Sequence, residues 1–177
     1  HDHRGHGLTK APDATLGHFG EKGSLVAVLD DISFVQSHAR SLWPNTPHIS
    51  FGHSMGTILG LAHAVQNPNK VDGLVLWNSG VDTGALAAAY GGILRFQRMF
   101  LGSDVPSGIA KKLTFDTWNK VFTPTRTEFD WLSRDEAEVD AYVCDPHCGF
   151  PVTIGLWLEV LDAIYIAADD KNLANLQ

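Results

Sequence analysis

Apolar positions along the chain change period several times, and each change predicts an element. From Ser24 to Trp43 they fall at Leu25, Val28, Leu29, Ile32, Val35, Ala39 and Leu42, one face of a helix that Pro44 ends. After Pro47 the run His48 to Phe51, with Ile49 and Phe51 apolar, reads as a short strand. It passes at once into Ile58, Leu59, Ala62 and Val65 at helical spacing, until Asn67-Pro68 stops the pattern. Val71 to Trp77 is the kind of apolar run that a buried parallel strand shows, so a strand–helix–strand unit closes there.

The character changes after Val81, where helical patterns and turns continue to about residue 168 without a strand. Gly84 to Leu101 is apolar nearly all round, so this helix needs cover from protein, substrate or lipid. Ser133-Arg134-Asp135-Glu136 reads as a capping box opening a short helix through Val143, and Pro151 to Ala168 as another apolar helix. The expected class is α/β: a partial parallel-sheet core over residues 1–81, an inserted helical cap over 82–168, and the start of a return to the core over 169–177.

With 177 residues and 44% hydrophobic content, the chain could make one ordinary domain. Its ends suggest otherwise: His1 opens inside a polar loop motif, and the stretch Asn172 to Gln177 adds no closing element. The expectation is an internal piece of a longer protein. A net charge of −7 without a basic block argues against a nucleic-acid partner. No apolar run reaches about eighteen residues and no signal-like segment is present, which leaves a cytoplasmic location as the default.

Two patterns raise metal chemistry. His1-x-His3-x-x-His6 is a spacing used by metallo-hydrolases, but there an aspartate precedes the last histidine and here Gly5 stands in that place. Residues 1–7 therefore read as a tight loop leaving a strand, with Gly5 and Gly7 at positive φ and Asp2 and Arg4 tied to loop backbone. Cys144 and Cys148, with only His147 between them, are one ligand short of a closed zinc site. They read as ordinary thiols, a local disulfide being the alternative. No metal is expected.

The sharpest chemistry lies at Gly52-His53-Ser54-Met55-Gly56, a Gly-x-Ser-x-Gly between the strand and the helix. The motif alone would arise by chance in roughly one chain of this length in twenty, so its flanks carry the argument. A serine on a sharp strand-to-helix turn takes a strained conformation that projects its oxygen out of the sheet, and small neighbours keep strand and helix from colliding. Gly52 and Gly56 are the small neighbours and Ser54 the candidate nucleophile. The backbone N–H of Met55, at the helix start, is a candidate oxyanion donor. A glycine-rich turn of a Rossmann-like unit is the competing reading.

With the loop, the elbow and the cap together, the sequence resembles the monoacylglycerol lipase and lysophospholipase branch of the α/β-hydrolases. Asp2-His3-Arg4-Gly5-His6-Gly7-Leu8-Thr9 is similar to that branch's Asp-His-x-Gly-His-Gly-x-Ser loop, residues 52–56 match its elbow, and Val71 to Trp77 resembles the next strand. The resemblance implies a serine hydrolase that cleaves carboxylic esters of lipid-like acyl groups, without a cofactor. Ser54 would be nucleophile and Met55 one oxyanion donor. The triad acid and histidine would follow Gln177, in the order Ser, Asp, His, and a second oxyanion donor would precede His1.

Of the histidines after Ser54, His63 lies two and a half turns along the elbow helix and His147 in a cap loop, so neither is placed to act as base. A serine without a base is a poor nucleophile, and the stretch by itself is expected to be inactive. Leu94 and Phe100, on the apolar helix, are the candidate pocket residues for an acyl chain, and the same surface would permit peripheral membrane contact. A non-catalytic acyl-binding module and an acyltransferase on the same machinery are the alternatives.

Overall fold

A computed structural model describes residues 1–11, 14–20 and 24–176. In chain order the elements are α1 (Ser24–Leu42), β1 (Ile49–His53), α2 (Met55–Gln66), β2 (Gly73–Trp77), α3 (Ala85–Leu101), α4 (Gly108–Leu113), α5 (Phe115–Lys120), α6 (Glu136–Cys144), α7 (Ile154–Ala167) and α8 (Asp170–Leu173). They group into two compact units. One holds Lys22–Arg95 and Leu158–Gln177, the other His1–Glu21 and Phe96–Trp157, so α3 and α7 each run from one unit into the other. Of the tract expected to begin a return to the core, Gln177 lies outside the described residues.

The first unit is built on the expected strand–helix–strand. β1 and β2 are parallel, in register from Ile49 opposite Gly73 to His53 opposite Trp77. A parallel pair needs a crossover, and α2 supplies it, packed against both strands. The pleat sends Ser50, Gly52, Leu74 and Leu76 to the helix side: a Cβ on Gly60 of α2 would meet the Leu74 side chain, and Gln36 of α1 donates to Ser50 Oγ at 3.0 Å. At the other end of the ladder, Asp72 Oδ2 accepts both from the His48 N–H at 2.7 Å and from Arg40 at 3.0 Å, which ties α1 to the strand entrances.

Burial departs from the reading of Val71 to Trp77 as a buried strand. The face of the sheet turned from α2 carries Ile49, Phe51, Val75 and Trp77, and all four are exposed, Phe51 by 65%. The apolar stripe of α1 is likewise buried only at Leu25, Val28, Leu29 and Ile32, while Val35 and Leu42 are exposed. The core of this unit lies instead along α2, where Leu59, Ala62, Ala64 and Val65 are almost fully covered.

In the second unit, the loop at residues 1–9 is the tight turn the glycines imply. Gly5 and Gly7 have φ of 73° and 52°, the Gly5 N–H donates to Thr9 at 2.8 Å, and Asp2 accepts from the Leu8 N–H at 3.3 Å. No strand occurs from residue 82 to 168 among the described residues. The α6 start differs from the expected capping box: Asp135 is the cap, accepting from the Ala137 N–H at 3.0 Å, and Ser133 Oγ accepts from Asp135 N–H. An Asp at that point caps as well as a Ser and adds negative charge at the helix start, so the helix opens later than the box predicted. Cys144 and Cys148 are both free thiols.

Candidate active site

Ser54 stands between the last residue of β1 and the first of α2 with φ 52° and ψ −119°. A side-chain-bearing residue avoids that region, at a cost of about 1–3 kcal/mol, unless its surroundings over-determine it. They do here. The Ser54 N–H donates to Trp77 O at 3.0 Å, extending the ladder one step past the strand, and the Ser54 carbonyl accepts from Thr57 N–H at 2.9 Å. Ser54 is exposed, and its hydroxyl makes no cap bond to the helix. The hydroxyl is thus left unused by the helix start, where the first N–H groups of α2, those of Met55 and Gly56, have no intrahelical acceptor.

The two glycines of the motif differ. A Cβ on Gly52 would lie 2.4 Å from Gly56 O and 2.8 Å from Thr57 Cα, both backbone, so any other residue there would push the strand from the helix. A Cβ on Gly56 would meet nothing within 4 Å. The close approach that the motif was expected to need at both positions is therefore a property of Gly52 facing the Gly56 backbone.

One residue past β2, Asn78 has φ 57°. It and Ser54 are the only non-glycine residues with positive φ among the described residues, and the register of His53 with Trp77 puts them side by side at the strand ends. Asn tolerates this conformation better than most residues. The sequence reads Asn78-Ser79-Gly80 as the turn after the apolar run, and within it the positive φ falls on Asn78.

The two histidines after Ser54 are engaged elsewhere. His63 is buried on α2 with Nε2 2.8 Å from Ser33 Oγ, and Lys70 Nζ donates to that same oxygen at 2.9 Å. With the ammonium donating, the Ser33 hydrogen is free to point at Nε2 of a neutral imidazole. His147 sits beside Asp145, which accepts from its backbone N–H at 2.8 Å.

Burial, then Lys70, push the His63 pKa below its ordinary 6.5, against a weaker pull from Asp30. An imidazole depressed in the folded state leaves stability intact above 6.5 and removes it as pH falls from there toward the folded value. Full-length protein should therefore lose thermal stability between pH 7.5 and 5.5, and His63→Gln should lose distinctly less. Parallel midpoint-versus-pH curves for the two proteins would reject this.

The pocket candidates part company. On α3 the covered face carries Gly91 and Leu94, and Leu94 is 0% exposed, so its side chain offers no surface to a ligand. Phe100 is 68% exposed and meets Phe96 with ring centroids 4.9 Å apart and the planes tilted by 58°. Arg95, Gln97 and Arg98 interrupt the apolar surface expected nearly all round this helix, and only one face of it is covered.

The family described as serine aminopeptidase, S33, matches residues 1–176. Monoglyceride lipase of Mus musculus is 29% identical over 161 residues, 89% of this chain and 46% of that protein. The Rattus norvegicus monoglyceride lipase is 27% identical over 161 residues, with the same coverage. The chain thus spans about half the length of the curated relatives it matches. Among solved structures, a highly thermostable carboxyl esterase from Bacillus coagulans in complex with glycerol superposes with a TM-score of 0.81 at 21% identity, over 99% of this chain and 57% of that one. The fold is the one the resemblance implied, a part of the α/β-hydrolase architecture.

Proposed function

Because this chain belongs to the α/β-hydrolase family described as serine aminopeptidase, S33, we propose that the full-length protein is a serine hydrolase. It cleaves carboxylic esters of lipid-like acyl groups through an acyl-enzyme on Ser54. The observation that carries this reading is the backbone of Ser54, held at φ 52° on a strand-to-helix turn with its hydroxyl exposed and unused by the helix cap. Strain at one exposed polar residue has no structural use of its own, since a glycine would make the same turn without it.

In this mechanism Ser54 Oγ attacks the ester carbonyl while a base takes its proton, and the carbonyl oxygen becomes an oxyanion that the Met55 N–H meets at the start of α2. Collapse of the tetrahedral species expels the alcohol, protonated by the same base, and leaves the acyl group on Ser54. Water then repeats the sequence and releases the acid. We assign the base and its orienting carboxylate to a histidine and an acid outside this stretch, because His63 is bonded to Ser33. Residues 82–168 serve as the cap. The monoglyceride lipase relatives support an ester rather than an amide substrate.

The test is covalent. A fluorophosphonate incubated with full-length protein should add to one residue, and peptide mass mapping should find the adduct on Ser54. An adduct on another residue would sink the assignment. Run beside it, an aminoacyl anilide should turn over far more slowly than an ester of the same leaving-group class; the reverse order would move the reaction to amides.

A further inference from the structure

The hydroxyl of Thr57 is the polar atom on which the ends of both strands meet. Thr57 is the third residue of α2, and it is buried. Its Oγ1 lies 2.8 Å from Gly52 O and 2.8 Å from Trp77 O, and it accepts from the Trp77 N–H at 3.1 Å. The single hydroxyl hydrogen is shared between the two carbonyls, while a lone pair takes the N–H. One side-chain atom thus joins the last turn of β1, the last residue of β2 and the first turn of α2.

Each of those groups bears on Ser54. Trp77 O also accepts the Ser54 N–H, and the Thr57 N–H holds the Ser54 carbonyl. Gly52 is the residue whose backbone passes against Gly56. From Gly52 to Thr57 the chain is therefore a closed loop, pinned at both ends by Thr57 and in the middle by Trp77, with the strained residue inside it. A β-branched side chain suits this task, because its χ1 is confined even in the first turn of a helix.

We infer that Thr57 is a positioning residue of this site. Its hydroxyl holds Ser54 at positive φ, and so aims the Ser54 oxygen and the Met55 N–H at one point. The inference rests on the reading of Ser54 as nucleophile. It assigns Thr57 no contact with substrate, so its loss should act on the chemical step and leave ground-state binding alone.

Valine has nearly the shape of threonine and none of its hydrogen bonds, whereas serine keeps the hydroxyl. In the full-length protein, Thr57→Val should lower kcat on a short-chain ester, and the rate of fluorophosphonate addition to Ser54, by about tenfold to a hundredfold, with KM nearly unchanged. Thr57→Ser should recover most of both. Wild-type kcat in Thr57→Val, or a loss in Thr57→Ser as large as in Thr57→Val, would overturn the inference, since the second result makes the residue a packing group.

If Thr57→Val does not fold, Thr57→Cys carries the same comparison, because a thiol is a weak donor and acceptor. Wild-type protein that takes no adduct at Ser54 would overturn the nucleophile reading and this inference with it. Wild type labelled at Ser54 beside an equally fast Thr57→Val would overturn this inference alone.

Discussion

Full-length protein carrying Ser54→Ala is expected to hydrolyse esters at least about 10⁴-fold more slowly than wild type, with its thermal midpoint almost unchanged. The two halves of that expectation come from one geometry. Catalysis is lost because no oxygen remains to form the acyl bond. What is left is the contribution of binding and of the oxyanion donor, which does not depend on the serine side chain.

Stability survives because the Ser54 hydroxyl does no structural work: it makes no bond to the helix it precedes, and it is exposed. The backbone bonds of residue 54 to Trp77 and Thr57 do not involve the side chain. Alanine keeps the Cβ, so the strain at φ 52° is neither relieved nor increased. Initial rates on a p-nitrophenyl ester, paired with thermal melts, measure both. More than about a tenth of wild-type rate in Ser54→Ala would place the nucleophile elsewhere.

The same contrast between backbone and side chain marks where the sequence could and could not be read. β1, α2 and β2 were legible because three signals agree over residues 48–77: apolar runs of strand length, helical spacing between them, and a Gly-x-Ser-x-Gly at the junction. α4 and α5 were not, since six residues each are too few to show a period. Periodicity also says which face is apolar without saying what covers it. That is why Val71 to Trp77 reads as a buried strand while Val75 and Trp77 stand exposed.

Thr57 was missed for a further reason. Its partners are backbone carbonyls and one N–H, of residues five and twenty positions away, and backbone groups leave no mark in residue type. Leu94 and Phe100 show the limit on a single helix. Both belong to one greasy sequence, and only the packing of α3 decides that Leu94 faces inward and Phe100 outward.

That division reshapes the expectation for acyl-chain length. Phe96 and Phe100, in ring contact and both exposed, are apolar surface on α3 that a hydrocarbon chain could cover, whereas Leu94 has none to give. Each buried CH₂ contributes about 0.8 kcal/mol, so four more methylenes along such a wall add roughly 3 kcal/mol, or about two orders of magnitude in kcat/KM if the transition state keeps the contact. Butyrate, octanoate and laurate esters of one alcohol, compared in the full-length protein, should therefore rise steeply from the first to the second. The gain should end where the wall ends. Phe96→Ser with Phe100→Ser should flatten the series while leaving butyrate nearly untouched, because removing exposed rings takes little from the fold and nothing from the ester carbonyl. Leu94→Ser would be the wrong probe, since it buries a hydroxyl and reports stability instead. A wild type equally fast on all three esters, or a double variant with the same slope as wild type, would remove the two phenylalanines from the acyl path.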